Sequence, residues 1–183
     1  GGTSGTLDLD ATSVSNLFDG SGPAKTVTIG ASGSTGNVTV GSAINNSTAD
    51  VVVNSGNLTT TAAITAQSLD VNAAGTGTIN LGAAVATTNN LDINSTTGSI
   101  TTGGTATLTS SAGNIILDSD ASTVTTGAAV SAAGSGGTVT INAAGAIDLD
   151  GSTTADGLIT LSTTTGSVDF SAATTSNNGN VSI

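Results

Sequence analysis

Any chemistry in this 183-residue chain has to come from aspartate, since all 12 acidic residues are Asp, the one cation is Lys25, and His and Arg are absent. Two pairs have a suggestive spacing, Asp8 with Asp10 and Asp148 with Asp150. On a strand, residues i and i+2 leave the same face, so each pair would bring two carboxylates together. Cleavage of an acidic polysaccharide by such a pair needs one carboxyl of raised pKa and a cation to clamp the substrate. Lys25 stands alone, so both requirements cannot be met. The expectation is a non-enzyme with no catalytic residue.

The elements that must carry these aspartates are set by a repeat. A seven-residue phrase starts at Leu7, Val38, Leu58, Ile79, Ile100, Val124, Ile147 and Val168, at intervals of 31, 20, 21, 21, 24, 23 and 21 residues. A period in the twenties marks a stacked architecture whose units bury their apolar faces only against their neighbours. Aliphatic first and third positions flank a polar second, as in Val38, Thr39, Val40, which is the alternation of a half-buried strand. A second strand follows in each repeat, beginning at Val27, Val51, Leu69, Leu91, Ile115, Val139, Ile159 and Val181. The seventh position of the phrase is aliphatic at Ile44, Ile64, Val85 and Val130, which adds a shorter third side in half the repeats. The fold class expected is therefore all-β, a β-solenoid of about eight coils of about 21–24 residues with a roughly triangular section, forming one domain over 1–183.

Composition agrees with that reading. The chain has no Trp, Tyr, Cys or Met and only two Phe, and a narrow coil interior accepts Val, Ile, Leu, Ala and Thr where rings would force the walls apart. Its aliphatic residues are too regularly placed, and its 7% charged residues too few, for a disordered tract. A net charge of -11 argues against a nucleic-acid partner. No apolar run approaches a membrane span, and any secretion signal is expected upstream of Gly1 or already removed. Gly precedes the phrase by two residues in seven of eight repeats (Gly5, Gly36, Gly56, Gly77, Gly98, Gly145, Gly166), as suits a corner needing positive φ or close backbone approach. Asn54, Asn72, Asn94, Asp118, Asn142 and Ser162 close successive second strands and should stack into an amide ladder.

Stacking also defines candidate sites. Asp70 and Asp92, and likewise Asp148 and Asp169, occupy outward positions in successive coils about 4.8 Å apart. Calcium favours such oxygen pairs and is the one cofactor candidate; solvated carboxylates are the plainer reading, since the glycine–aspartate nonapeptides of calcium-loaded solenoids are absent. The outward column Asp8, Thr39, Thr59, Asn80, Thr101, Thr125, Asp148, Asp169 is too interrupted for a good ice-binding lattice, which leaves that function a minor alternative. The stretch 13–25 breaks the period and reads as an inserted loop, plain surface or else offering Leu17, Phe18 and Lys25 to a neighbouring rod.

The units Gly36–Val40, Gly56–Thr60, Gly77–Leu81, Gly98–Thr102 and Gly166–Phe170 share the form Gly, small polar, then an alternating apolar pair. This pattern resembles the repeats of the filamentous-haemagglutinin-like and autotransporter-type adhesins, over nearly the whole chain. The resemblance implies a right-handed parallel β-helix, an extracellular or cell-surface location, and an adhesive or structural role with a cell-surface or glycan receptor as partner. It identifies no receptor.

The two ends are in register with each other. Were Ile183 followed by Gly1 of another copy, Val181 would precede the next Leu7 by nine residues, the same spacing as Leu91 to Ile100, Ile115 to Val124 and Ile159 to Val168. No amphipathic helix or charged cap is legible at either end, and bare strand edges pair with other chains. The expectation is one unit of a longer tandem array or a self-stacking polymer, with Leu7, Leu9, Val181 and Ile183 at the assembly interface.

Overall fold

The computed structural model describes residues 5–18, 25–75 and 77–183. The chain forms a parallel β-solenoid, matching the right-handed parallel β-helix expected, with seven intervals between the eight strands of its first side. Those strands run from Thr6–Leu9 to Val168–Phe170, and each pairs in parallel with the next in sequence order. The phrase starts align residue for residue, Leu7 with Val38, Val38 with Leu58, and so on to Ile147 with Val168. On another side Val27, Val51, Leu69, Leu91, Ile115, Val139, Ile159 and Val181 form one column. Both registers follow from the alternation, because a one-residue slip would turn every aliphatic side chain toward water.

Between these two lies a side that is more complete than the sequence predicts. Its inward column runs Ile44, Ile64, Val85, Leu108, Val130, Thr153 and Thr174, one residue in every coil but the first. Leu108 escapes the seventh-position rule because the corner before it is longer, closed by a hydrogen bond from the Ala106 amide to the Gly103 carbonyl at 2.9 Å. Thr153 and Thr174 escape it because threonine reads as polar, yet Thr153 is 0% exposed. In the second and third coils this side and the next merge into continuous bent strands, Ile44–Ser55 and Ile64–Ala73.

The first coil departs from the rest. Where its middle strand would lie, residues Ala11–Leu17 form a helix, capped by Asp10, whose Oδ1 accepts from the Ser13 amide at 2.8 Å. Val14 and Phe18 turn inward and join the core. The stretch expected as a loop over 13–25 thus begins as a helix, and the expectation that no helix covers an end is corrected. Phe18 is a core residue and not an outward contact, being 9% exposed within the core cluster. Leu17 is exposed, Lys25 opens the strand Lys25–Ile29, and residues 19–24 of the expected loop lie outside the described residues. Both phenylalanines sit in terminal coils, while the middle of the tube is filled by aliphatics such as Ile79, Ile100, Val124 and Ile147.

The glycine column has two physical causes. Gly77 takes φ +66, which a side chain adopts only with strain. Gly56 has ordinary φ, but a Cβ there would lie 2.1 Å from the Thr35 carbonyl oxygen of the neighbouring coil. Close packing of one coil's corner on the next is the commoner requirement.

Candidate functional site

The side formed by the second strand of each repeat carries an outward column of amide and carboxylate groups. Asn54, Asn72, Asn94, Asp118, Asn142 and Ser162 stand there in register on successive coils. They form the expected coil-to-coil ladder only in part, through Asn142 to Asp118 and Asn54 to the corner backbone. The Nδ2 groups of Asn72 and Asn94 instead donate along their own strands to Oδ1 of Asp70 and Asp92, both at 2.9 Å. The i, i+2 spacing brings acceptor and amide to one face, and an ionised carboxylate outcompetes a neighbouring amide carbonyl as acceptor. Asn54 turns its amide to the Gly30 carbonyl at 3.4 Å.

Amide ladders do exist, at the residue just before each alternating apolar pair. Oδ1 of Asn57 accepts from the Thr78 amide at 3.0 Å, while its Nδ2 donates to Asn37 Oδ1 at 2.8 Å. Oδ1 of Asn90 accepts from the Asn114 amide at 3.0 Å, and Asn114 Oδ1 from the Thr138 amide at 2.9 Å. Buried hydroxyls pin other corners: Ser95 Oγ donates to the Gly98 carbonyl at 2.7 Å and accepts from the Gly98 amide at 3.0 Å. From sequence Asn37 and Asn57 read only as the small polar residue of the Gly units, and Asn90 and Asn114 lie just before the alternating positions, so their cross-coil bonding was not legible.

Asn54, Asn72 and Asn94 line a groove of about 300 Å³ along the corner of the second to fourth coils, with Ala73 and Ala74 on its wall and Ser32, Gly33 and Thr96 at its margins. Beside it the Asp70 and Asp92 carboxylates are register neighbours. Burial pushes the Asp92 carboxyl above the usual range, the charges of Asp70 and Asp118 add to that, and the Asn94 hydrogen bond opposes it. Asp118 is raised too, first by burial and then by Asp120, against a hydrogen bond from Asn142.

The other candidate aspartates are spread along the rod. Asp148 and Asp169 are register neighbours on the first side, and Ser167 Oγ donates to Asp169 Oδ2 at 2.8 Å. Asp8 pairs with Thr39 on that side, whereas Asp10 has left it to cap the helix, so the Asp8–Asp10 pair is divided between two tasks. Asp10 is held below the usual carboxylate range by the hydrogen bonds from Ser13 and Thr12. Among the described residues no three acidic side chains converge as a metal site would require. Asp70 with Asp92, and Asp148 with Asp169, are pairs.

At the rod ends the four residues expected at an assembly interface divide. Leu9 is 1% exposed, closed into the core under the helical first coil, so it is not available for assembly. Leu7, Val181 and Ile183 are exposed, Ile183 at 76%. The sequence reading omitted Phe170, which occupies the inward column with Leu149 yet is 42% exposed because no coil follows it in the structure.

The fold defines the chain as a parallel β-solenoid repeat protein. No family model, no curated protein and no solved structure matches it.

Proposed function

We propose that this chain is a structural and adhesive element of an extracellular fibre or cell-surface stalk, of the kind formed by filamentous-haemagglutinin-like and autotransporter-type adhesins, with the β-helix continuing from unit to unit. The observation that carries this reading is the unbroken register of the parallel ladders from coil to coil, in which each coil is covered by the next. Val168–Phe170, Thr174–Ser176 and Val181–Ser182 each pair with a strand on one edge only, and Phe170, Val181 and Ile183 turn apolar surface outward. A further coil, from the same chain or from a second copy, would extend these ladders and cover those side chains, as each coil does for the one before it. The nine-residue register between Val181 and the next Leu7 allows the same step across a junction between units. At such a junction the first side and the side of the second strands continue their ladders, while the helix Ala11–Leu17 occupies the middle side.

In this role the molecule works mechanically. Backbone hydrogen bonds run along the axis on three sides, and the acidic surface keeps neighbouring rods soluble. Negative-stain electron microscopy and sedimentation of the purified chain test the reading. Rods longer than a single chain are expected, shortened by Phe170→Asp with Val181→Asp. A stable monomer at all concentrations, with no longer species for a tandem dimer of the chain, would refute axial continuation.

A further inference from the structure

The groove over the second to fourth coils is a concave polar feature of the rod, and although Asn54 and Thr96 bond from coil to coil, stacking engages the amide of neither Asn72 nor Asn94. Asn54, Asn72 and Asn94 reach it from three adjacent coils in one register, so they repeat along the axis about every 4.8 Å. The orientation of two of the three amides is fixed, because Nδ2 of Asn72 and Asn94 is held by Asp70 and Asp92. Each amide therefore keeps one N–H and its carbonyl Oδ1 for another molecule, and among the described residues nothing bonds to either oxygen. The Ala73 and Ala74 methyl groups add small apolar surface beside them.

A row that offers donors and acceptors at each step, next to small apolar groups, is complementary to hydroxyls, which both donate and accept, and to the C–H faces between them. Charge narrows the class. With a net charge of -11 and Asp70, Asp92 and Asp118 beside the row, an anionic polymer is repelled. We propose that the groove binds an uncharged, linear glycan lying along the rod axis, with Asn72 and Asn94 as its principal hydrogen-bonding residues. This rests on the surface-rod reading and supplies the adhesive part of it. Affinity for a short oligosaccharide should be weak, with Kd on the order of 1 mM, because the groove is shallow and lacks an aromatic platform. Repetition of weak sites along a fibre would raise it by avidity.

The test is titration of the isotope-labelled chain with cellohexaose and maltohexaose as uncharged probes, hyaluronan hexasaccharide as the anionic probe and spermine as the cationic one. The side-chain amide signals of Asn54, Asn72 and Asn94 are read by NMR. Saturable shifts of these signals with an uncharged hexasaccharide are expected, together with at least a roughly tenfold weaker Kd for Asn72→Ala/Asn94→Ala. Asn142→Ala, in the same column two coils beyond, should leave binding unchanged, and circular dichroism confirms that each variant is folded. No saturable shift with either uncharged probe up to about 10 mM overturns the proposal. So does tighter binding of hyaluronan, binding of spermine alone, or equal loss in Asn142→Ala. Rods in micrographs combined with any of these outcomes would leave the structural function standing and remove the glycan site.

Discussion

Replacing Thr153 by valine should make this protein more stable. Thr153 lies in the inward column of the middle side, 0% exposed, between Val130 and Thr174, and its Oγ1 has no hydrogen-bond partner. A buried hydroxyl without a partner costs about 1–3 kcal/mol, the desolvation that no protein contact returns. Valine has nearly the same shape, and Val130 shows that it fits one coil away in the same column, so the substitution removes the penalty without leaving a void. The expected gain is about 1–3 kcal/mol, and for a chain of this size each kcal/mol raises Tm by about 2–4 °C. Thermal unfolding followed by far-UV circular dichroism measures it. Thr154→Val is the control: that hydroxyl faces outward and donates to Ser131 Oγ at 3.1 Å, so its loss should change stability by no more than about 0.5 kcal/mol in either direction. Thr60 has the same unpartnered, buried hydroxyl four coils away, and Thr60→Val should add its own increment. An unchanged or lowered Tm in Thr153→Val would refute the reasoning, since it would mean that the hydroxyl is satisfied in the folded protein.

Gly56→Ala should destabilise by about 1–3 kcal/mol, because its Cβ would meet the Thr35 carbonyl oxygen and force two coils apart; urea unfolding reports it. Ile100→Ala, in the middle of the core, should cost about 2–5 kcal/mol by the same measurement, whereas Val181→Ala on the open coil should cost much less. Asp92 and Asp118 have folded-state pKa values raised above the ordinary carboxylate value of 3.8, so the folded chain binds their protons more tightly than the unfolded one. Their contribution to stability therefore falls as pH rises through 3.8 to the folded values and stays low above them. Asp92→Asn should raise Tm at neutral pH and lose that advantage by about pH 3, where both forms are uncharged. Asp10 has the opposite sign: its pKa is lowered, so its support of the first-coil helix is present at neutral pH and lost as pH falls below 3.8.

Much of the rod was readable because its constraints are periodic. Alternation at Val38–Val40 or Ile79–Leu81 decides which side chains face in, and spacing decides which coil stacks on which; both are properties of the linear chain. The first side and the side of the second strands therefore have the register expected at all sixteen strand starts. The candidate site was legible only as a column. The alignment of Asn54, Asn72 and Asn94 followed from the period, but the direction each amide takes did not, because a carboxylate two residues away competes for it.

Sequence alone thus determined a β-solenoid, its coil boundaries, its two regular sides and its lack of the His and Arg that acid–base cleavage would recruit, because each depends on residue type and spacing. Tertiary structure decided where the exceptions go. Ala11–Leu17 is helical where the other coils place a strand, with Asp10 capping its first turn and Val14 turned into the core. Thr153 and Thr174 are turned inward because their neighbours' ladders fix the side on which they fall, whatever their polarity. Gly56 is required by a carbonyl twenty-one residues away in the chain, a contact that exists only once the coils are stacked.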